Sequence, residues 1–246
     1  PAGLTAIMTA ILAMENTSDL DAEITAPSYI FDILYGKGAA TADIRHGEIV
    51  SMRKLLYCLM LQSAAEAALT IADYVGDGSI DYFVEMMNSK AKELGCTNTN
   101  FTNAHGLYDE NQYTTARDMA KIALYAMNMD GFMDIANTSS INIGPSNIHD
   151  TWYLNTSNYL IVKGSSYYYE GAQGIKTGSL DEAGNCLVTT ATRDGLTYLL
   201  VIMGAPKTDA NGNAYEKNLA LSEGAKLLDW AFDNYSMRNV VKEGDL

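Results

Sequence analysis

The sequence is poor in cysteine, histidine and basic residues, and each shortage excludes a class of protein. Three cysteines occur in 246 residues, so at most one disulfide could form and cross-links do not hold this fold together. The three histidines lie far apart and no Cys-x-x-Cys spacing is present, which argues against a structural metal. Sixteen basic residues against thirty acidic ones give a net charge of −14, which opposes binding to nucleic acid or to anionic lipid.

Long hydrophobic runs and targeting segments are also missing. No stretch of eighteen apolar residues exists, and the chain opens at Pro1 rather than with a basic and hydrophobic leader. We expect a soluble chain trimmed from a longer one, so the missing leader says little about location. Because 48% of the residues are apolar, the chain can bury the core of one domain or of two lobes that share a cleft.

Hydrophobic periodicity predicts helices in the first half of the chain. Residues 4–15 carry apolar side chains at a 3.6-residue period, which is typical of a buried helix. A long helix is predicted over 54–74, interrupted only by the small residues at 63–65. Two further helices are expected at 80–94 and 115–127.

The second half changes to segments rich in threonine, valine, tyrosine and isoleucine. Residues 152–162 read as a strand, and 185–193 and 197–204 form a hairpin pattern joined by Asp194 and Gly195. An amphipathic helix follows. Helices first, then a small antiparallel sheet with a helix packed on it, indicate an α+β fold.

The sharpest local motif is GIKTG at 174–178, at the entry to a predicted hairpin. On a strand, Lys176 and Gly178 project to the same face, and the missing side chain of Gly178 lets a ligand approach the backbone closely. A cation at this place could hold a carboxylate. Lys-Thr-Gly alone is equally consistent with a polar strand end.

The order of several segments along the chain favours a functional role for this motif. PAGLTAIMTA at 1–10, LLYCLMLQSAAEAALTIADYVG at 55–76 and GIKTG at 174–178 follow the order of the S-x-x-K, S-x-N and K-T-G motifs of penicillin-binding proteins. The chain resembles the serine-type D-alanyl-D-alanine carboxypeptidases, the low-molecular-mass penicillin-binding proteins of the peptidase S11 type. Further similar stretches lie at 83–109, 113–123 and 227–232.

The resemblance implies a β-lactamase/transpeptidase-like α+β fold in one domain over 1–246. The helical lobe is expected at about 15–145, and the lobe of sheet and helices at 1–14 and 150–236. The family's N-terminal strands are missing here, so we expect about three strands and an exposed sheet edge, covered by another segment or chain.

The resemblance also implies an activity: removal of the terminal D-alanine from peptidoglycan stem peptides through an acyl-serine, with β-lactams as inhibitors. Residue 3 supplies the nucleophile and residue 6 the base. Ser63 relays a proton, while Lys176 and Thr177 dock the substrate carboxylate. Backbone amides at residue 3 and on the K-T-G strand polarise the carbonyl. No metal or cofactor is needed, and the location is the bacterial cell envelope, outside the cytoplasm.

The chain departs from the family at the residues that carry the chemistry. Gly3 and Ala6 stand where the family has serine and lysine, and Ala65 where it has asparagine. Because glycine cannot be acylated, we expect a catalytically inactive chain. Three functional side chains are reduced to Gly or Ala among family-like neighbours, which favours deliberate inactivation or redesign, with a natural pseudoenzyme as the alternative.

Other interpretations of the chain's function and of its candidate residues remain open. The chain could bind muropeptides or wall precursors without turnover, or be an engineered scaffold with an empty cleft; a β-lactamase relative is disfavoured, since no extra acid is placed for deacylation. Two further S-x-x-K matches, Ser51 with Lys54 and Ser89 with Lys92, are expected on outer helix faces. His105 is interpreted as a capping or packing histidine.

Overall fold

The computed structural model describes residues 1–237. It opens with a single 3-10 turn at Ala2–Leu4. The helices that follow are α1 (Thr5–Glu15), α2 (Tyr29–Leu34), α3 (Met52–Gln62), α4 (Ala65–Val75), α5 (Ile80–Glu93), α6 (Ala116–Met127), α7 (Phe132–Ala136) and α8 (Leu219–Asn234). The strands are β1 (Glu23–Thr25), β2 (Ile49–Ser51), β3 (Ser140–Asn142), β4 (Tyr153–Asn155), β5 (Ala172–Leu180), β6 (Gly184–Arg193) and β7 (Leu196–Ala205).

Strands β5, β6 and β7 form an antiparallel sheet in that order. Asp194 and Gly195 join β6 to β7 at φ angles of 53° and 78°, the left-handed values that a two-residue hairpin turn needs. Helix α8 covers one face of this sheet by packing Leu221 and Leu228 near Leu187. The α+β prediction and the hairpin are confirmed. Strand β7 pairs on one side only among the described residues, and what covers that edge stays a prediction.

Helix α1 runs through the centre of the core. Every residue from Thr5 to Ala13 is buried, as expected for a helix that is apolar on all sides. Its polar Thr9 donates its hydroxyl hydrogen to the carbonyl of Ala104 at 2.7 Å, so burial leaves that group satisfied. The predicted buried helix is confirmed, and its position fixes the 3-10 turn ahead of it against β5.

The predicted helix over 54–74 is two helices. Helix α3 ends at Ser63, which adopts the left-handed conformation with φ 57° and ψ 33°. The N–H groups of Ser63 and Ala64 donate to the carbonyls of Leu59 and Cys58, which closes the end of α3 before α4 begins. The small residues therefore mark a sharp junction between helices rather than a patch within one.

The strand predicted over 152–162 is wrong for most of its length. Only β4 forms, paired with β3, and the chain then enters a 3-10 turn at Tyr159–Ile161. The Asn158 side chain explains the break: its amide oxygen accepts from the N–H of Leu160 at 3.2 Å, and its amide nitrogen donates to the carbonyl of Gly174. These local bonds replace a strand ladder.

A histidine fastens the loop between β3 and β4 to the loop before β2. His149 Nδ1 lies 2.7 Å from an oxygen of the buried Glu48, and Nε2 lies 3.2 Å from an oxygen of Asp43. Ser146 donates its hydroxyl hydrogen to Glu48 at 2.5 Å, and the His149 ring stacks on Trp152 with ring centroids 4.5 Å apart. A protonated His149 therefore bridges two carboxylates.

This clamp predicts a pH-dependent stability. Burial lowers the pKa of His149, but its hydrogen bonds to Glu48 and Asp43 outweigh burial and hold the pKa above its usual value. The stabilisation is therefore complete below the unfolded pKa of about 6.5 and is lost as pH rises through the folded pKa. We expect His149→Gln to destabilise the chain by about 1–3 kcal/mol at pH ~5.5 and by less at pH ~8.5.

Thermal unfolding at both pH values measures this difference. The matched control is His46→Gln, because His46 is an exposed histidine in the loop before β2, the loop that His149 contacts. We expect His46→Gln to change the midpoint of thermal unfolding only slightly at either pH. A His149→Gln deficit that is equal at the two pH values would show that protonation of His149 does not stabilise the clamp.

Candidate active site

The candidate site is a cleft of about 530 Å³ where the 3-10 turn, the α3–α4 junction and β5 meet. Five of the seven sequence-predicted site residues line it: Gly3, Ser63, Ala65, Thr177 and Gly178. Its other walls include Gly38, Ala40, His105, Gly106, Ser157, Tyr159, Tyr167 and Asn218. The fold therefore brings segments from the start, the middle and the sheet of the chain to one place.

Gly3 lies in backbone contact with β5. A Cβ built on Gly3 would stand 2.7 Å from the carbonyl oxygen of Thr177 and 3.2 Å from the Cα of Gly178. In the other direction, a Cβ on Gly178 would stand 2.8 Å from the amide nitrogen of Gly3. Two glycines thus let main chain meet main chain, and a side chain at either position requires a backbone shift.

Ala6 and Ala65 are both only 2% exposed but face different surroundings. Ala6 belongs to the apolar core, whereas Ala65 lines the cleft at the first residue of α4. The N–H of Ala65 donates to the carbonyl of Ala40 at 2.9 Å, so the start of α4 is fixed to the cleft rim. Neither methyl group can transfer a proton or orient a peptide.

Lys176 lies beneath the cleft rather than in its wall. Its side chain is 1% exposed, and its Nζ makes hydrogen bonds to Ser63 Oγ and to the carbonyl of Thr177, the latter at 3.0 Å. Burial lowers the pKa of Lys176 to about 7. Among the K-T-G residues, Thr177 and Gly178 line the cleft and Lys176 does not.

Ser157 is a polar wall residue that sequence reasoning missed. Its Oγ lies 2.5 Å from Thr177 Oγ1, and its N–H donates to the carbonyl of Leu61 at 3.2 Å. The bond fixes the Thr177 hydroxyl at the cleft surface. No sequence signal could have found this pair, because Ser157 sits in a segment whose pattern predicted an extended strand.

His105 lines the cleft as a neutral residue. Its Nδ1 accepts a hydrogen bond from the N–H of Leu107 at 3.1 Å, in agreement with the interpretation as a capping histidine. Burial, helped by the charge of Lys37, lowers the pKa of His105 to about 4. Among the cleft-lining residues within 1–237 there is no carboxylate, lysine or arginine. The cleft lining therefore carries no carboxylate charge, although the net charge of the chain is −14.

The two additional S-x-x-K matches lie away from the cleft. Ser51 caps α3, where its Oγ accepts from the N–H of Lys54 at 3.3 Å. Ser89 and Lys92 stand on α5, and neither is part of the cleft lining. The geometry gives no role in this site to either pair.

A family model described as D-alanyl-D-alanine carboxypeptidase matches residues 1–207. The chain belongs to the D-alanyl-D-alanine carboxypeptidase family. A D-alanyl-D-alanine carboxypeptidase of Streptomyces sp. strain K15 is 34% identical over 241 residues, covering 93% of this chain and 77% of that protein. The carboxypeptidase DacF of Bacillus subtilis strain 168 is 29% identical over 244 residues, covering 98% of this chain and 58% of its own length.

Solved structures of similar proteins superpose on most of the chain. The Streptomyces K15 DD-transpeptidase gives a TM-score of 0.79 at 32% identity, covering 94% of this chain and 87% of that one. The D-alanyl-D-alanine carboxypeptidase of Mycobacterium tuberculosis H37Rv gives 0.80 at 26% identity, covering 96% and 82%. The predicted family and fold are confirmed. Within residues 1–237, none of the helices has the length and apolar character needed to cross a membrane.

Proposed function

We propose that this member of the carboxypeptidase family binds the D-alanyl-D-alanine end of a peptidoglycan stem peptide, or a β-lactam, without carboxypeptidase turnover through residue 3. One observation carries the proposal: the site is divided. Ser63, Thr177 and the buried Lys176 remain together on one side. Gly3 and Ala6 offer neither a hydroxyl nor an amine on the other.

The docking side suits a ligand that ends in a carboxylate. Thr177 lines a cleft without carboxylates, and the Lys176 amine donates a hydrogen bond to the backbone carbonyl of the same residue. Thr177 can donate its hydroxyl hydrogen to the carboxylate in either protonation state of Lys176, and the protonated fraction of Lys176 adds charge attraction. The family's action on the cell wall supports a location outside the cytoplasm, in the envelope.

The residues at the nucleophile and base positions support the absence of turnover. An acyl-serine requires a hydroxyl beside a group that takes its proton, and such pairs recur at i and i+3 on one helical face. Gly3 and Ala6 have this spacing and neither function. An engineered or purely structural scaffold with an empty cleft is the rival, and it predicts no peptide binding at all.

Binding of an N-acetylated tripeptide ending in D-Ala-D-Ala, followed by calorimetry, tests the proposal. The same peptide with a C-terminal amide is the ligand control, because it lacks only the charge. We expect the free acid to bind more tightly than the amide. Thr177→Val should weaken binding of the free acid about tenfold or more, because it removes a hydrogen bond to the carboxylate. Thr208→Val, an exposed threonine outside the cleft, should leave the affinity unchanged.

Two outcomes would contradict this function. Equal affinity for the acid and the amide, or no binding of either, would rule out carboxylate docking in the cleft. Release of free D-alanine from the peptide, measured by an oxidase-coupled assay, would show that the chain still turns over and that the proposed inactivity is wrong.

A further inference from the structure

Ser63 and Lys176 form a serine–amine pair that stays in direct contact although residue 3 is a glycine. Ser63 lines the cleft, and its Oγ is hydrogen-bonded to the Nζ of Lys176, whose side chain is 1% exposed. Serine beside an amine is an arrangement that can activate a hydroxyl for attack. The pair joins the α3–α4 junction to β5, so two rigid elements hold it.

The amine of Lys176 has no acidic partner among the described residues. Its polar contacts are the Ser63 hydroxyl and the carbonyl of Thr177, and it takes part in none of the ion pairs. Burial therefore lowers its pKa to about 7, so neutral and protonated amine coexist near neutral pH. The lone pair of the neutral amine can accept the hydroxyl hydrogen of Ser63.

The backbone of Ser63 presents its hydroxyl to the cleft. Its φ of 57° lies in the left-handed region, which a non-glycine residue adopts at a cost and mostly at functional sites or caps. Hydrogen bonds of its own N–H and of the next N–H, to Leu59 and Cys58, lock this conformation. The helix end fixes the backbone of Ser63, and the buried amine of Lys176 fixes the direction of its hydroxyl.

The position of the hydroxyl relative to residue 3 completes the argument. Ser63 Oγ lies 3.1 Å from the point where a Cβ on Gly3 would stand. A carbonyl carbon presented to residue 3 is thus within reach of Ser63 after a small shift of the ligand. We propose that Ser63 is an acyl acceptor of this chain, with Lys176 as its general base, and that it takes the acyl group of a β-lactam bound in the cleft.

The step balances without any further reagent. Ser63 Oγ forms a bond to the β-lactam carbonyl carbon while its proton passes to the neutral Nζ of Lys176. The tetrahedral intermediate collapses with cleavage of the ring C–N bond, and the proton on Lys176 moves to the departing nitrogen, which stays tethered to the acyl group. The product is a penicilloyl ester on Ser63. This inference rests on the proposed function, since the β-lactam must enter the same cleft.

Incubation of the whole chain with a fluorescent penicillin, followed by intact mass and peptide mapping, tests the proposal. We expect a slow adduct on the peptide that contains Ser63, absent in Ser63→Ala and unchanged in Ser139→Ala, an exposed serine outside the cleft. Because general-base assistance contributes about 10²–10⁴-fold, Lys176→Met should slow labelling at least about 100-fold. Lys176→Arg should slow it as much, because a guanidinium keeps the charge but cannot take a proton.

The pH dependence of the labelling rate tests the role of Lys176 in the unaltered chain, so it does not depend on a variant that must fold. The labelling rate should rise with pH through about 7 as Lys176 loses its proton. An adduct on another residue, a rate that Lys176→Arg restores, or a flat pH profile would overturn the assignment. If no adduct forms although the D-Ala-D-Ala peptide binds, the acyl-acceptor role fails and the proposed function stands. Absence of both would overturn the proposed function as well.

Discussion

Gly3→Ser combined with Ala6→Lys and Ala65→Asn is expected to give rapid acylation of residue 3 by a fluorescent penicillin. The introduced hydroxyl stands in the 3-10 turn and the amine three residues later in the first turn of α1, while the amide at residue 65 enters the cleft wall from the first turn of α4. Labelling should be at least about 100-fold faster than in the parent chain, and peptide mapping should place the adduct on residues 1–10.

The same variant is expected to lose stability. The side chain at residue 3 must push the Thr177 carbonyl back from a 2.7 Å contact, and an amine must enter the apolar core around Ala6. Overpacking of this kind costs about 1–3 kcal/mol. The double variant Ala6→Lys with Ala65→Asn is the control, because it carries the base and the amide but no hydroxyl. A folded triple variant without an adduct at residue 3 would contradict the assigned roles of all three positions.

Glu66→Ala is expected to lower the melting temperature by about 6–12 °C. One carboxylate oxygen of the buried Glu66 accepts hydrogen bonds from the Thr41 hydroxyl at 2.6 Å, from the N–H of Ala42 at 2.7 Å and from the N–H of Ile44 at 3.3 Å. Truncation leaves buried donors without an acceptor, which costs about 3 kcal/mol in total, and a domain of this size loses about 2–4 °C per kcal/mol.

Glu66→Gln separates the hydrogen bonds from the charge. The amide oxygen of glutamine can occupy the position of the single accepting oxygen, so all three bonds survive and the loss should stay below about 1 kcal/mol. Burial raises the pKa of Glu66, so removing its charge also removes a desolvation cost. Equal losses for Glu66→Ala and Glu66→Gln in thermal unfolding would show that charge, and not hydrogen bonding, is what Glu66 supplies to the loop.

The sequence predicted the fold where a local pattern decides the structure. The unbroken apolar surface of α1 could only be buried, and Asp194-Gly195 between two β-branched runs specified a hairpin. The order of three short motifs predicted the family. These features are visible in sequence because each depends on neighbours along the chain or on a motif with a fixed order.

The parts that could not be predicted depend on contacts between distant segments. Residues 152–162 have the composition of a strand, but the Asn158 amide satisfies the backbone locally and ends it. Nothing in Lys-Thr-Gly shows that Lys176 is covered from solvent and bonded to a serine 113 positions away. The left-handed Ser63 likewise follows from the meeting of α3 and α4, and not from the residue itself.

The main-chain contact between Gly3 and Gly178 makes a side chain at residue 3 hard to introduce by single substitutions. A serine arriving first meets the Thr177 carbonyl and finds a methyl group at Ala6 where it needs a base. A lysine arriving first is buried without anything to deprotonate. Each single variant is expected to be less stable than its parent and no more active. A functional hydroxyl at residue 3 therefore requires several substitutions that are introduced together.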